Sequence, residues 1–210
     1  MDNFEFFNST RILFGQGQIA ALAQQVPADA KVLIVYGGDS IKKNGVFGQV
    51  TAALGNRQWV EFAGIEANPH YETCVEAVNL ARREQVDFLL AVGGGSVIDA
   101  TKFIAAAASH EGDPWQIIAT FGGAVTGALP VGCVLTLAAT GSEMNQTSVI
   151  TRASSHDKLF FNSDFVRPVF SILDPATTCS LPVRQVANGV VDSMVHVLEQ
   201  YVTYPINAKV

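Results

Sequence analysis

Charge is scarce in this chain: 15% of its 210 residues are charged, with 13 Lys plus Arg against 19 Asp plus Glu. The formal charge of −6 comes with no basic stripe. That excludes the electrostatic footprint of a nucleic-acid binder and gives no attraction to anionic membrane surfaces. Cysteine is scarce as well. Cys74, Cys133 and Cys179 are far apart and odd in number, so they form neither a C-x-x-C pair nor a disulfide framework. Reduced thiols in a cytoplasmic setting are expected. No apolar run reaches the ~18 residues needed to span a bilayer. The opening MDNFEFFNST has neither the basic n-region nor the apolar h-region of a secretory signal. Histidine is limited to four residues, which bounds any metal site. Internal repeats and low-complexity tracts are missing too.

Apolar residues are plentiful, at 49%, the profile of a well-packed globular core. The length suits one large domain or one and a half ordinary ones. The runs KVLIVYGG (31–38), WVEFAG (59–64), DFLLAVGGG (87–95), GCVLTL (132–137) and VFSILD (169–174) are almost continuously apolar. Continuous rather than alternating hydrophobicity marks strands buried on both faces, as in parallel sheets. Before the third run Asn68 can cap a helix and Pro69 fits its first turn. Tyr71, Cys74, Val75 and Val78 then form one apolar helix face. Strands alternating with such helices predict an α/β fold with a doubly wound, mostly parallel, Rossmann-like sheet. The segment TLAATGSEMNQTSVITRASSHDKLFFNSD is polar, rich in Ser and Thr, and alternates near 146–161. It predicts a loop followed by a β-hairpin at the sheet edge. From about Val183 to Tyr201 the pattern is helical.

The stretch FLLAVGGGSVIDATKFIAAAA is the most specific local signal. A buried strand runs into Gly93, Gly94 and Gly95, followed by Ser96 and a helix rich in Ala and Ile. Glycines let the backbone approach a ligand closely, and the new helix points free N–H groups at the gap, which suits a phosphate. The spacing is not G-x-G-x-x-G, and a plain strand-to-helix turn is the other reading. Asp99 either stabilises the helix N-terminus or faces the ligand. In VYGGDSIKKNG, Gly37 and Gly38 end the first strand of the sheet, where a cofactor's adenosine end is often read. Asp39 there suits a ribose diol, whereas Ser40, Lys42 and Lys43 suit the 2′-phosphate of NADP. A solvated turn is the alternative.

In VVDSMVHVLEQ, Asp192 and His196 are four residues apart, on one face of a helix and close enough to chelate one ion. Their neighbours are apolar, so a buried Asp–His hydrogen bond is an equally physical reading. A catalytic metal site needs at least three protein ligands. His70, His110 and His156 share no motif with the pair.

Together these segments resemble the iron-containing (group III) alcohol dehydrogenases, in particular the branch of butanol dehydrogenases and NADPH-dependent aldehyde reductases. The likeness runs from TRILFGQGQI through YGGDSIKKNGVF, GIEANPHYETCVEAV, the glycine loop, LTLAATGSEMN and ILDPATTCSLP to RQVANGVVDSMVHVLEQYVT. It implies that the GGGS loop holds the pyrophosphate of NADP or NAD. It further implies that Thr136, Thr140, Gly141, Ser142 and Asn145 belong to the loop around the nicotinamide and phosphates, and that Lys158 lies near the nicotinamide end. Asp192 and His196 match the first two of four metal ligands, for Fe²⁺ or Zn²⁺. Dehydroquinate synthases place a Glu in a different context, and glycerol dehydrogenases lack the His four residues on. The first loop reads GGDS where the closest relatives usually carry three glycines before the serine, so Asp39 weighs against NADP. The family is roughly twice this length, and its all-helical second half carries two more histidine ligands. The resemblance therefore implies an N-terminal portion of such an enzyme. Residues 1–180 would be the dinucleotide-binding domain, and residues 181–210 the first helix of a helical metal-binding domain. The expected reaction is hydride transfer between a nicotinamide and an alcohol or aldehyde, with no nucleic-acid or membrane partner. An apolar helix face without its packing partners implies a homodimer or higher self-association. The alternatives are a nucleotide-binding module without chemistry, or a relative of the glycerol dehydrogenase or dehydroquinate synthase type.

Overall fold

The structure is a computed structural model that describes Asn3, Glu5 and residues 7–203. Residues 204–210 of the expected 181–210 segment lie outside the described residues. In chain order the elements are β1 (Arg11–Phe14), α1 (Leu22–Gln25), β2 (Lys31–Tyr36), α2 (Ser40–Lys43), α3 (Val46–Leu54), β3 (Gln58–Phe62), α4 (Tyr71–Arg83), β4 (Phe88–Gly94), α5 (Gly95–Ser109), α6 (Trp115–Ala119), β5 (Val131–Leu137), β6 (Thr147–Arg152), β7 (Asp157–Asn162), β8 (Phe170–Leu173) and α7 (Val183–Thr203). Six strands form one sheet in the order β1-β8-β5-β4-β2-β3, and every pairing is parallel.

The central strands read as unbroken apolar runs because both their faces are covered. Val32, Ile34, Tyr36, Phe88, Leu90 and Val92 point to one side, where Ile19, Leu22 and the α3 residues Val46, Val50 and Leu54 pack on them. Leu33, Val35, Leu89 and Ala91 point to the other, against residues of α4 and α5. The helix following β2 and the helix following β4 therefore lie on opposite faces, although the two strands are neighbours. A crevice opens beyond the carboxyl ends of strands at such a topological switch point, and ligands of doubly wound sheets bind there. The glycine runs 37–38 and 93–95 are the outgoing ends of these two strands.

Three features differ from the sequence expectation. The hairpin forms, but β6 and β7 make a separate two-stranded antiparallel sheet and do not extend the main sheet. Its apolar side carries Ile150 and Phe161, which are fully buried in the α4–α5 core. Covering α5 is what holds the hairpin away from the sheet edge. Helix α4 begins at Tyr71, with His70 in extended conformation before it, so Asn68 does not cap it. Asn68 instead adopts a left-handed φ of 59°, a conformation asparagine tolerates. Edge strand β1 is mostly exposed and too short to show a pattern. No helix among the described residues is long and apolar enough to cross a membrane.

Candidate functional site

β4 passes into α5 without a break at Gly94–Gly95, and no side chain caps the helix. Each glycine has an internal reason to lack a side chain. A Cβ on Gly93 would stand 2.6 Å from Val97 Cγ2, and one on Gly94 would stand 3.2 Å from Leu137 Cβ. A Cβ on Gly95 would collide with Thr140 Oγ1. The glycines thus let the outgoing ends of β4 and β5 interlock, and the first N–H groups of α5 have no side-chain cap, the kind of helix start that suits an anion. Ser96 Oγ accepts from the Asn68 N–H at 3.2 Å, and the Asn68 carboxamide oxygen accepts from Lys158 Nζ at 2.7 Å. Lys158, exposed on β7, is so tethered beside the glycine loop.

The β4–β5 register slips here. Gly93 pairs with Leu135 and Gly94 with Leu137, leaving Thr136 as the extra residue of a bulge. Bulges re-aim side chains and recur beside binding sites. Exposed Thr140 and left-handed Gly141 (φ 66°) follow, then the short 3-10 turn Ser142–Met144. Ser142 and Asn145, two of the predicted cofactor contacts, are engaged inside the protein. Lys102 Nζ donates to the Ser142 carbonyl (2.6 Å), Ser142 Oγ (2.8 Å), Asn145 Oδ1 (3.0 Å) and the Thr147 carbonyl (2.9 Å). Ser142 Oγ donates in turn to Asp99 Oδ1 at 2.5 Å, and Asp99 Oδ2 accepts from the Val149 N–H at 3.1 Å. Both Asp99 carboxylate oxygens are thus engaged by the loop and the hairpin. Asp99 joins α5 to the hairpin. Burial raises its pKa, opposed by the Ser142 hydrogen bond and by Lys102. Burial pushes Lys102 down to about 8, with Asp99 the largest opposing influence.

At the end of β2 the chain turns at Gly37, whose carbonyl accepts from the Gly64 N–H at 2.8 Å. A Cβ there would stand 3.1 Å from the Ile65 carbonyl oxygen. Gly38, Asp39 and Ser40 are exposed at the crevice. Lys42 is turned away to Glu61 on β3, 3.1 Å from its Oε2, and lies 5.2 and 4.9 Å from the ring centroids of Tyr36 and Phe47. Tyr36 donates to the same Glu61 oxygen at 2.9 Å. Hydrogen bonds to Tyr36 and Glu61 raise the Lys42 pKa.

His196 Nε2 and Asp192 Oδ2 on α7 are 3.6 Å apart, with side chains 58% and 47% exposed. In this chain the pair is therefore neither buried nor within hydrogen-bonding distance. Two ligands on a tetrahedral ion with legs of 2.0–2.2 Å are separated by ~3.4 Å, so the spacing fits chelation. The pair lines a cleft of about 460 Å³ with Gln185, Asn188 and Gly189, facing Leu137, Ala138, Ala139 and Thr140 across it. The two donors and the loop leaving the glycine crevice thus share one space. Among the described residues no third His, Cys, Asp or Glu completes a metal-sized group.

Lys102, Glu61 and Asn68 were not singled out as functional residues from the sequence. Only Lys102 carries a signal there, as the one cation of an Ala- and Ile-rich helix, two turns beyond the glycine loop.

A doubly wound sheet with a glycine-lined crevice at its switch point, and an Asp-x-x-x-His helix beside it, defines the class. The family model for iron-containing alcohol dehydrogenase matches residues 9–175, and the chain belongs to that family. It is 58% identical over 212 residues to the NADPH-dependent aldehyde reductase YqhD of Escherichia coli (strain K12), covering 100% of this chain and 55% of that protein. It is 49% identical over 206 residues to the probable NADH-dependent butanol dehydrogenase 2 of Bacillus subtilis (strain 168), covering 96% and 52%. The crystal structure of E. coli K-12 YqhD superposes with a TM-score of 0.93 at 57% identity, over 99% of this chain and 54% of that one. NADH-dependent butanol dehydrogenase A of Thermotoga maritima does so with a TM-score of 0.88 at 42% identity, over 95% and 51%. The chain spans about half the length of the relatives it matches.

Proposed function

We propose that this chain supplies the dinucleotide-binding half, and two metal donors, of a metal-dependent NAD(P)-linked alcohol dehydrogenase or aldehyde reductase. The observation that carries this reading is the shared cleft, in which Asp192 and His196 face the loop that leaves the glycine crevice. When bound, the ion would supply Lewis acidity toward a carbonyl or alkoxide oxygen, and the nicotinamide would supply the hydride. The amides of Gly95 and Ser96 would orient the pyrophosphate, Lys158 would place positive charge near the nicotinamide end, and Asp192 and His196 would hold the ion. On this reading residues 1–180 form the cofactor domain, α7 opens a second, helical domain, and the substrate is a small alcohol or aldehyde. The protein is cytoplasmic and self-associates, at least as a homodimer.

Calorimetry with NADH and NADPH tests the reading. The 210-residue chain binds a dinucleotide and fails to reduce aldehydes in the presence of Fe²⁺ or Zn²⁺, because two ligands of four hold an ion weakly. Absence of dinucleotide binding overturns the proposal, and turnover by the verified chain overturns the half-site.

Asp39 supports NADH over NADPH. Its carboxylate stands at the crevice where a 2′-phosphate would add charge, and Lys42 is held by Glu61. Asp39→Gly is expected to improve NADPH affinity relative to NADH by about tenfold, about 1.4 kcal/mol. A wild-type chain that already favours NADPH strongly refutes this preference.

A further inference from the structure

Lys102 is fully buried, yet its ammonium meets only acceptors, and all of them lie on residues 142–147. It stands seven residues beyond Gly95, the first residue of α5. The segment it grips runs from the Thr140 contact with the glycine loop to the start of β6. Gly95 allows that close contact, since any Cβ there would collide with Thr140. Gly141 begins the loop in a left-handed, turn-forming conformation, and on the β8 side Ser171 Oγ holds it by donating to the Glu143 carbonyl at 2.6 Å. Toward α5, this segment is held among the described residues by Lys102, which reaches Ser142, Asn145 and Thr147, and by the Ser142–Asp99 hydrogen bond.

We propose that Lys102 is a positioning residue for the dinucleotide site: its buried ammonium sets how closely the 138–147 loop lies over the first amides of α5. It touches no ligand. It acts through Ser142 and Asn145, whose side chains it holds away from the crevice, and through Thr140, whose height above Gly95 follows from the grip. The inference rests on the dinucleotide reading of the glycine loop. It assigns Ser142 and Asn145 to the support of that site, where the family resemblance placed them among the cofactor contacts.

The test is dinucleotide binding to the wild-type chain and to Lys102→Met and Lys102→Gln, with NADH and NADPH as probes. Circular dichroism checks that each variant is folded. We expect at least tenfold weaker binding in both variants, with faster amide hydrogen exchange confined to residues 138–152. A purely structural lysine would instead lower the melting temperature and leave affinity well below it unchanged, and that result overturns the proposal. The wild-type chain provides a readout that needs no variant. Its affinity should fall severalfold between pH 7 and 9 as Lys102 loses its proton. The charged and titratable groups facing Lys102 are Asp99 on α5, Cys133 on β5, Glu143 in the loop and Arg167 after β7. The Cys133 thiol is lifted to about 12 by burial and does not titrate in that window. A flat wild-type profile overturns the proposal even if neither variant folds. A wild-type chain that binds neither dinucleotide sinks the underlying reading; binding by wild type and variants alike sinks only the role of Lys102.

Discussion

Burial lifts the Cys133 thiol to about 12 and raises that of Cys74 as well, whereas Cys179 is exposed. The thiolate is the reactive form. At pH 8 a disulfide reagent should therefore label one thiol in the folded chain and all three in denaturant. Labelling of Cys74 or Cys133 at the rate of Cys179 would mean that the core opens locally. At Gly95 a single methyl group would drive Thr140 off the glycine loop. Gly95→Ala should cost about 1–3 kcal/mol of stability through overpacking, read as a lower urea midpoint with an unchanged slope. It should also weaken dinucleotide binding, because the displaced threonine forms the wall of the crevice.

Glu72 pins the hairpin tip to α4, accepting from the Ala153 and Ser154 N–H groups at 3.2 and 3.4 Å. Desolvation alone would raise its carboxyl pKa, but backbone donors, including these two, and nearby His70 outweigh it and leave it below the ordinary value. A depressed carboxylate pKa adds stability above the unfolded value, and that stability is lost as pH falls through the folded one. Exchange of the 153–156 amides, corrected for intrinsic rates, should therefore accelerate on acidification below the usual carboxylate range. In Glu72→Ala it should be fast at every pH; slow exchange in that variant would show that Ile150 and Phe161 hold the hairpin alone.

What the sequence disclosed at this scale follows from which faces are buried. β2, β4 and β5 were legible because two covered faces demand unbroken apolar runs. β1 was not, because an exposed edge of four residues carries no such demand. The glycine loop was legible as a strand-to-helix turn, but its packing against Thr140 was not, since that partner is remote in sequence. The helix start at Tyr71 was misjudged for a related reason. A distant lysine, Lys158, takes the Asn68 side chain that local rules assign to a cap. Asp192 and His196 were legible as a pair by spacing alone, whereas their exposure depends on how α7 sits against the sheet.

Across the whole molecule the largest imbalance is α7, in which no residue is buried. Val183 is 85% exposed, and Val190, Val191, Met194, Val195, Val197 and Leu198 are each exposed by half or more. An apolar surface of this kind marks an interaction site or an aggregation liability. The 210-residue chain should therefore self-associate in light scattering, and Val197→Lys with Leu198→Lys should reduce the average mass. A monomer at every concentration would mean that α7 docks elsewhere on the same chain in solution.

On the proposed reading the two metal donors, Asp192 and His196, share one helix with this apolar surface, and that joins two equilibria. Whatever covers Val190, Met194 and Val197 also fixes the rotation of α7, and with it the direction in which Asp192 and His196 point. Thermodynamic reciprocity then applies: a cover that tightens ion binding must itself be tightened by the ion, by the same factor. On that reading metal and cover are mutual effectors, so a chelator should loosen the cover of α7 as surely as loss of the cover should release the metal.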